Sequence, residues 1–507
     1  MKTTTLLYGV LALSVLHWLV IDESAAQVTQ EQLDAISTPN EVETSIGVLK
    51  FIDGAPLPET STMVYDYLDR ARAVDAFLKG IPAASVYMLI EGVKPVGAVE
   101  AHQVGIFDTL MDSNSLFLTG NSSTMYVFPN LELDRDGPTV VEVPPGALGA
   151  FNDAYFRYIG DVGPAGPDAG EGGKYLILPP GYEGEVPEGY FVVQSPSYTV
   201  WTFMRMSVAD GLEAAYSNVA ENLRVYPLSQ ADNPPELELI SLSGKSFNTI
   251  HANNFQFFEE LNAVVQREPI DLFPAETRGL WASIGIEKGK PFEPDDRMRA
   301  ILEDAVAIGN AAARSIVWHP RTNTTLAGLQ TFEGMNWNAA FLNQNVFFNG
   351  PDGQTMNTDA RVTFHYPYTA VTPAMAKPRP GVGSDYRIAY LDAAGEPFNG
   401  SNTYKVTLPP NPPADDFWAF TLYDAQTRSM LQTDQPLPTI DSIQSDPKLN
   451  ENGSIDVYFA PEPPEGWEAN WVQTIPGKSW FTILRMYGPR QDWLDGKYVP
   501  GEITLVE

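Results

Sequence analysis

Tyr404-Lys405-Val406-Thr407-Leu408-Pro409 and Ile455-Asp456-Val457-Tyr458-Phe459-Ala460-Pro461 carry the decisive pattern: core-type side chains at every second position, with a proline ending each run. A period of two puts one face of a strand into a core and turns the other toward water. Proline has no N–H to give to a ladder, so the strand stops there. Residues 417–423 (FWAFTLY) and 480–486 (WFTILRM) read as more deeply buried strands. Toward the N-terminus, residues 106–206 repeat this style. Val141 and Val143 precede Pro144, Pro145 and Gly146; residues 174–178 run into Pro179, Pro180 and Gly181; residues 190–193 precede Ser195 and Pro196.

Helical spacing parts the two β-rich blocks. Leu212, Ala215, Tyr216, Val219 and Leu223 form one apolar stripe, Phe258, Leu261, Val264 and Val265 a second, and Met298, Ile301, Leu302, Ala305 and Ile308 a third. An earlier helix is predicted from Val64 through Leu78, stopped by Gly80 and Pro82. A lone strand is read at 46–52 in a polar lead-in. The prediction is a mainly β chain with helical insertions, built as two sandwiches or jelly rolls. No internal sequence repeat is read between the blocks.

The first residues run Lys2, an apolar stretch at 6–21, then Ser24, Ala25 and Ala26 before Gln27. That order predicts a secretory signal cleaved after Ala26, hence a periplasmic or secreted protein. No later stretch is read as a membrane span. The absence of cysteine excludes disulfides, thiolate metal sites and cysteine nucleophiles. A net charge of −33, spread along the chain, argues against nucleic acid or anionic lipid as partner.

No motif assigns a chemistry. His102, His251, His319 and His365 stand too far apart for a zinc motif and read as structural. Residues 160–173 are glycine-rich, but their prolines and the strand that follows fit a shaped loop better than a phosphate cradle. Residues 133–137 (LDRDG) begin like a calcium loop and lack its closing glutamate, so calcium stays possible but unplaced, and no cofactor is evident. No Gly-x-Ser-x-Gly elbow occurs. Asp161, Glu268, Asp359 and Asp424 are candidates for a glycosidase-type carboxylate pair. Trp418, Tyr423, Asp424, Arg428, Trp471, Trp480 and Arg485 combine flat rings with planar polar groups. They suit a sugar or aromatic ligand, or a sandwich core closed by an Asp-Arg pair.

Several segments together resemble the bacterial family that pairs an N-terminal domain of unknown function 1254 with a C-terminal domain of unknown function 1214. The first is matched by residues 64–74 (VYDYLDRARAV), 118–126 (LTGNSSTMY) and 160–190 (GDVGPAGPDAGEGGKYLILPPGYEGEVPEGY). The second is matched by 372–375 (TPAM), 417–435 (FWAFTLYDAQTRSMLQTDQ) and 470–489 (NWVQTIPGKSWFTILRMYGP). One departure is Ser123, which stands where the family commonly has aspartate. The resemblance implies tandem (double) jelly-roll sandwiches and a homo-oligomer, a trimer.

Taken with the residue patterns, it divides the chain into a signal peptide (1–26), a lead-in (27–60), domain 1254 (61–230), a helical connection (231–345), domain 1214 (346–490) and a C-terminal extension (491–507). The expected function is binding of a glycan or small envelope molecule, or a structural role. The ligand-binding candidates are Tyr126, Asp161, Trp418, Tyr423, Asp424, Arg428, Trp480 and Arg485. A glycoside hydrolase or metal-assisted hydrolase, and a capsid-like assembly, are the alternatives.

Overall fold

The computed structural model describes residues 28–506, so the predicted signal and its cleavage point lie outside the described residues. The chain divides into two compact units, one ending at Leu68 and one beginning at Asp69. The first holds a short helix, α1 (Gln30–Ile36), and an antiparallel sheet of β1 (Glu41–Thr44), β2 (Gly47–Ile52) and β3 (Ala55–Pro56). Thr29 and Gln32 cap α1 reciprocally, each side chain taking the other's backbone N–H.

Helix α2 (Pro58–Glu91) does not stop at Gly80 and Pro82 as its sequence predicts. An interior proline costs about 3 kcal/mol. Around it Ile81, Ala83, Ala84, Val86, Leu89 and Ile90 are all buried, and burying that much apolar surface outweighs one lost hydrogen bond. Gly80 earns its place by proximity: a Cβ there would meet Leu261 and Phe257 at 3.0 and 3.1 Å. The helical stretch Pro58–Val96 is also long and apolar enough to cross a membrane by length and composition, contrary to the sequence expectation. With 67% of its apolar window buried, it packs as a core helix.

The second unit contains two sandwiches. The first is built from β4 (Gln103–Ile106), β5 (Met125–Phe128), β6 (Leu131–Glu132), β7 (Thr139–Val143), β8 (Leu148–Asp153), β9 (Tyr158–Val162), β10 (Gly173–Leu178), β11 (Phe191–Gln194), β12 (Thr199–Met206), β13 (Arg224–Pro227) and β14 (Glu238–Ser241). Helices α3 (Leu133–Asp136) and α4 (Leu212–Asn222) interrupt it. Its large sheet has the order β14-β4-β5-β12-β8-β9, with β6 beside β12, and its small sheet the order β11-β10-β7-β13.

Helices α5 (Gln256–Arg267), α6 (Ala275–Ala282), α7 (Asp296–Trp318), α8 (Thr358–His365) and α9 (Pro373–Ala376) lead to the second sandwich. Its strands are β15 (Trp337–Asn338), β16 (Ser384–Ala389), β17 (Tyr404–Leu408), β18 (Ala414–Asp424), β19 (Thr439–Asp441), β20 (Ile455–Ala460), β21 (Trp471–Gln473), β22 (Trp480–Pro489) and β23 (Thr504–Leu505), with α10 (Gln491–Leu494) before the last. The large sheet runs β15-β16-β22-β18-β19 and the small one β21-β20-β17-β23.

Strand for strand these are the same fold. Replacing β4, β5 and β7–β13 by β15, β16 and β17–β23 turns one set of orders into the other, leaving β6 and β14 as additions. Directions agree as well, including the parallel pairs β10/β11 and β20/β21 in otherwise antiparallel small sheets. A wholly antiparallel jelly roll lacks such a pair. The duplication also corrects the reading of no internal repeat: Thr202-Phe203-Met204-Arg205-Met206 in β12 and Thr482-Ile483-Leu484-Arg485-Met486 in β22 occupy equivalent strands.

Period-two alternation decides what those strands face. Val200, Met204 and Met206 join the core between the two sheets of the first sandwich, and Trp480, Leu484 and Met486 that of the second. The opposite faces, Trp201 and Phe203 on β12 and Phe481 and Ile483 on β22, enter a third core shared with α2, α5 and α7. The arginines at 205 and 485 continue that inward face.

Candidate functional site

Each arginine has a tyrosine directly across the ladder: Arg205 opposite Tyr126 and Arg485 opposite Tyr386. Both pairs line one cavity between the sandwiches, with a volume of about 70 Å³. One water needs roughly 10–15 Å³ on this scale, so the space suits a small molecule. Phe117, Trp201, Phe203, Phe341, Phe364 and Met375 supply its apolar wall, and Thr119 and Asn121 add polar atoms.

The electrostatics are one-sided. Arg205 and Arg485 are 9% and 4% exposed, and among the described residues neither makes an ion pair. Arg485 Nη2 donates to Tyr423 Oη at 2.6 Å and to the Thr119 carbonyl at 3.3 Å. Arg485 Nη1 and Arg205 Nε are buried without a hydrogen-bond partner. Burial pushes the Tyr126, Tyr423 and Tyr487 hydroxyls up from their ordinary value, so they stay neutral. A guanidinium stays charged in proteins. The cavity therefore holds two positive charges, and none of its lining residues is Asp or Glu.

A second cavity, of about 50 Å³, shares Phe203, Arg205 and Met375 with the first and contains Asp161, Thr372 and Arg379. Burial pushes the Asp161 carboxyl up, opposed by hydrogen bonds from Thr372 and Tyr158 and by the Arg379 charge. Tyr158 donates to it at 3.1 Å. A wider depression of about 520 Å³ shares Ala340, Phe341, Met375 and Tyr386 with the first cavity.

Residues 102–227 match the family described as Protein of unknown function (DUF1254), and residues 383–491 the one described as Protein of unknown function (DUF1214). The chain carries the DUF1254 and DUF1214 domains, in that order. Comparison with the curated proteins gives no match. Among solved structures, the chain is similar to the VPA0106 protein of Vibrio parahaemolyticus, at 17% identity and a TM-score of 0.51, covering 87% of this chain and 100% of that one. That likeness concerns fold alone. An uncharacterized protein from Burkholderia cenocepacia aligns over 89% of this chain and 97% of its own at 11% identity, with a TM-score of 0.41.

The DUF1254 match thus contributes Tyr126 and Arg205 to the cavity, and the DUF1214 match Tyr386 and Arg485. Of the candidates read from sequence, Tyr126 and Arg485 line it, Tyr423 braces Arg485 from behind, and Asp161 lies in the adjoining cavity. Trp418 and Trp480 are in the core of the DUF1214 sandwich, where Trp480 stacks on Phe398 at 4.2 Å. Asp424 fixes a turn by accepting from the Gln426 and Thr427 N–H groups, and pairs with Lys478 rather than Arg428. Arg428 is buried with its guanidinium over the Tyr366 ring at 4.2 Å.

The other proposed acids are held singly. Glu268 accepts from the Tyr198 and Thr199 N–H groups at 2.7 and 3.0 Å, and Asp359 accepts from the Thr325 hydroxyl. Asp134 and Asp136 of the calcium-like segment pair with Arg267 and Arg135. Among the described residues no group of three or more His, Asp or Glu side chains could hold a metal ion. The glycine-rich loop is organised by Asp168, which accepts from the Gly163 and Gly172 N–H groups and the Tyr175 hydroxyl. Sequence reasoning missed Arg205, Trp201, Phe203 and Tyr386; the TFMRM and TILRM strands were the signal that could have found them.

Proposed function

We propose that this protein binds a small molecule in the cavity between its DUF1254 and DUF1214 sandwiches. The observation that supports it is a single cavity with aromatic walls from both halves and two buried arginines that no acidic side chain pairs among the described residues. Concave, mostly apolar spaces with a few fixed polar groups are the usual form of ligand sites. The lining favours a small envelope molecule over a glycan, because no carboxylate is present to accept from sugar hydroxyls. For the same reason a two-carboxylate glycosidase site is not in this cavity. The reading fits an exported binding protein without catalysis.

The test is a thermal-shift screen of small acids, amines and sugars on the intact protein and on an Ala340→Phe variant that fills the cavity. Compounds that raise Tm in the first and not in the second are expected. No stabilising compound, or stabilisation that persists in the filled variant, overturns the proposal.

A further inference from the structure

Resting on that reading, we infer that the bound molecule is an apolar carboxylic acid whose carboxylate meets Arg205 and Arg485. The duplicated fold brings the same device to the cavity twice: an arginine on the inward face of the central strand, β12 or β22, opposite a tyrosine on the neighbouring strand, β5 or β16. Among the described residues two other arginines are buried, and one of them, Arg387, pairs with Asp385 at 2.7 Å. The other, Arg428, has no acidic partner, and its guanidinium sits over the Tyr366 ring at 4.2 Å. The Arg485 side chain donates to neutral groups, the Tyr423 hydroxyl and the Thr119 carbonyl, and the Arg205 Nε has no partner among the described residues.

A buried charge is tolerated when an opposite charge and hydrogen bonds meet it. Both side chains line the cavity, and each guanidinium is a planar fork of N–H donors, the geometry that a carboxylate fits. Tyr423 and the Thr119 carbonyl hold the other side of the Arg485 fork, which orients it before anything binds. The remaining wall of Phe117, Trp201, Phe203, Phe341 and Phe364 suits a hydrocarbon or aromatic body, and the small volume argues against a bulky one.

The test is calorimetry near neutral pH on the full chain with benzoate, octanoate, benzamide, octanamide and phenyl phosphate. Each acid is expected to bind on the order of tenfold or more tightly than its amide, since hydrogen bonds to a charge outweigh neutral ones. Phenyl phosphate should bind more weakly than benzoate, and Arg205→Met or Arg485→Met should reduce acid binding by a similar factor. The acid-against-amide comparison needs no variant, so it holds even where a substitution unfolds the protein. Acids and amides binding equally, with both lost in Ala340→Phe, refutes the carboxylate while keeping the cavity as the site. Tighter phenyl phosphate also refutes it. If no probe binds, the carboxylate and the cavity reading fall together.

Discussion

Arg485 donates across 2.6 Å to the hydroxyl of Tyr423, which in turn donates to the Gly120 carbonyl at 2.7 Å. That chain ties β22 and β18 of the second sandwich to the loop before β5 of the first, at the wall of the cavity the two share. Tyr423→Phe removes one hydroxyl, strands the Gly120 carbonyl and leaves Arg485 Nη2 only its longer bond to the Thr119 carbonyl. It should cost about 1–3 kcal/mol, read as a lower denaturant midpoint with an unchanged slope, and should also weaken acid binding by freeing the guanidinium to move.

Stability and binding should move in opposite directions at the arginines. With no ligand present, Arg205→Met replaces a buried charge lacking an ion-pair partner by an apolar chain of similar reach. The denaturation free energy should rise by about 1 kcal/mol or more, while carboxylate binding falls. Equilibrium unfolding with and without octanoate separates the two effects. A clear loss of stability in the ligand-free protein would show that the arginine serves the fold.

Two histidines make the fold sensitive to acid. Burial, reinforced by the nearby Arg428 and Arg361 charges, pushes His251 and His365 down to about 3 from an ordinary 6.5. Below pH 6.5 the unfolded chain takes up a proton at each that the folded protein refuses until about pH 3. Their contribution to stability is therefore complete above 6.5 and lost as pH falls toward 3. Burial pushes Glu260 the other way, from 4.5 up to about 7, so its effect opposes theirs between those values. His365 packs against Phe156, Phe348 and Phe364, and His365→Phe isolates one titration. The variant's stability relative to the native protein should grow by about 1.4 kcal/mol per pH unit on acidification through that window.

Gly149 sits where β8 crosses β12. A Cβ there would lie 2.0 Å from the Phe203 carbonyl, a backbone atom that cannot swing aside. Gly149→Ala should destabilise by roughly 3 kcal/mol and disturb Phe203 and Arg205, both cavity residues. Thermal unfolding and octanoate affinity should drop together.

How much of this was legible depended on whether the information was local. Alternation at 404–408 and 455–460 gave strands because one face of each is buried in a sandwich core. Trp418 and Trp480 were correctly rich in packing potential, but a tryptophan in a buried strand can face a core or a cavity, and composition does not say which. The helix end at Pro82 was misread because the packing of Ile81 to Ile90 comes from distant helices. Arg205 gives no signal by itself, since one cation in a buried strand has no pattern of its own; the likeness of residues 202–206 to 482–486 is what marks it. The match of strand orders then makes Arg205 and Arg485 equivalent.

A crystal structure of the protein soaked in benzoate tests most directly whether Arg205 and Arg485 meet one ligand carboxylate in the cavity between the sandwiches. The prediction is a carboxylate within about 2.7–2.9 Å of guanidinium nitrogens of both Arg205 and Arg485, with its ring against Trp201 and Phe341. Benzoate bound elsewhere, or bound here with its ring toward the arginines, would contradict it.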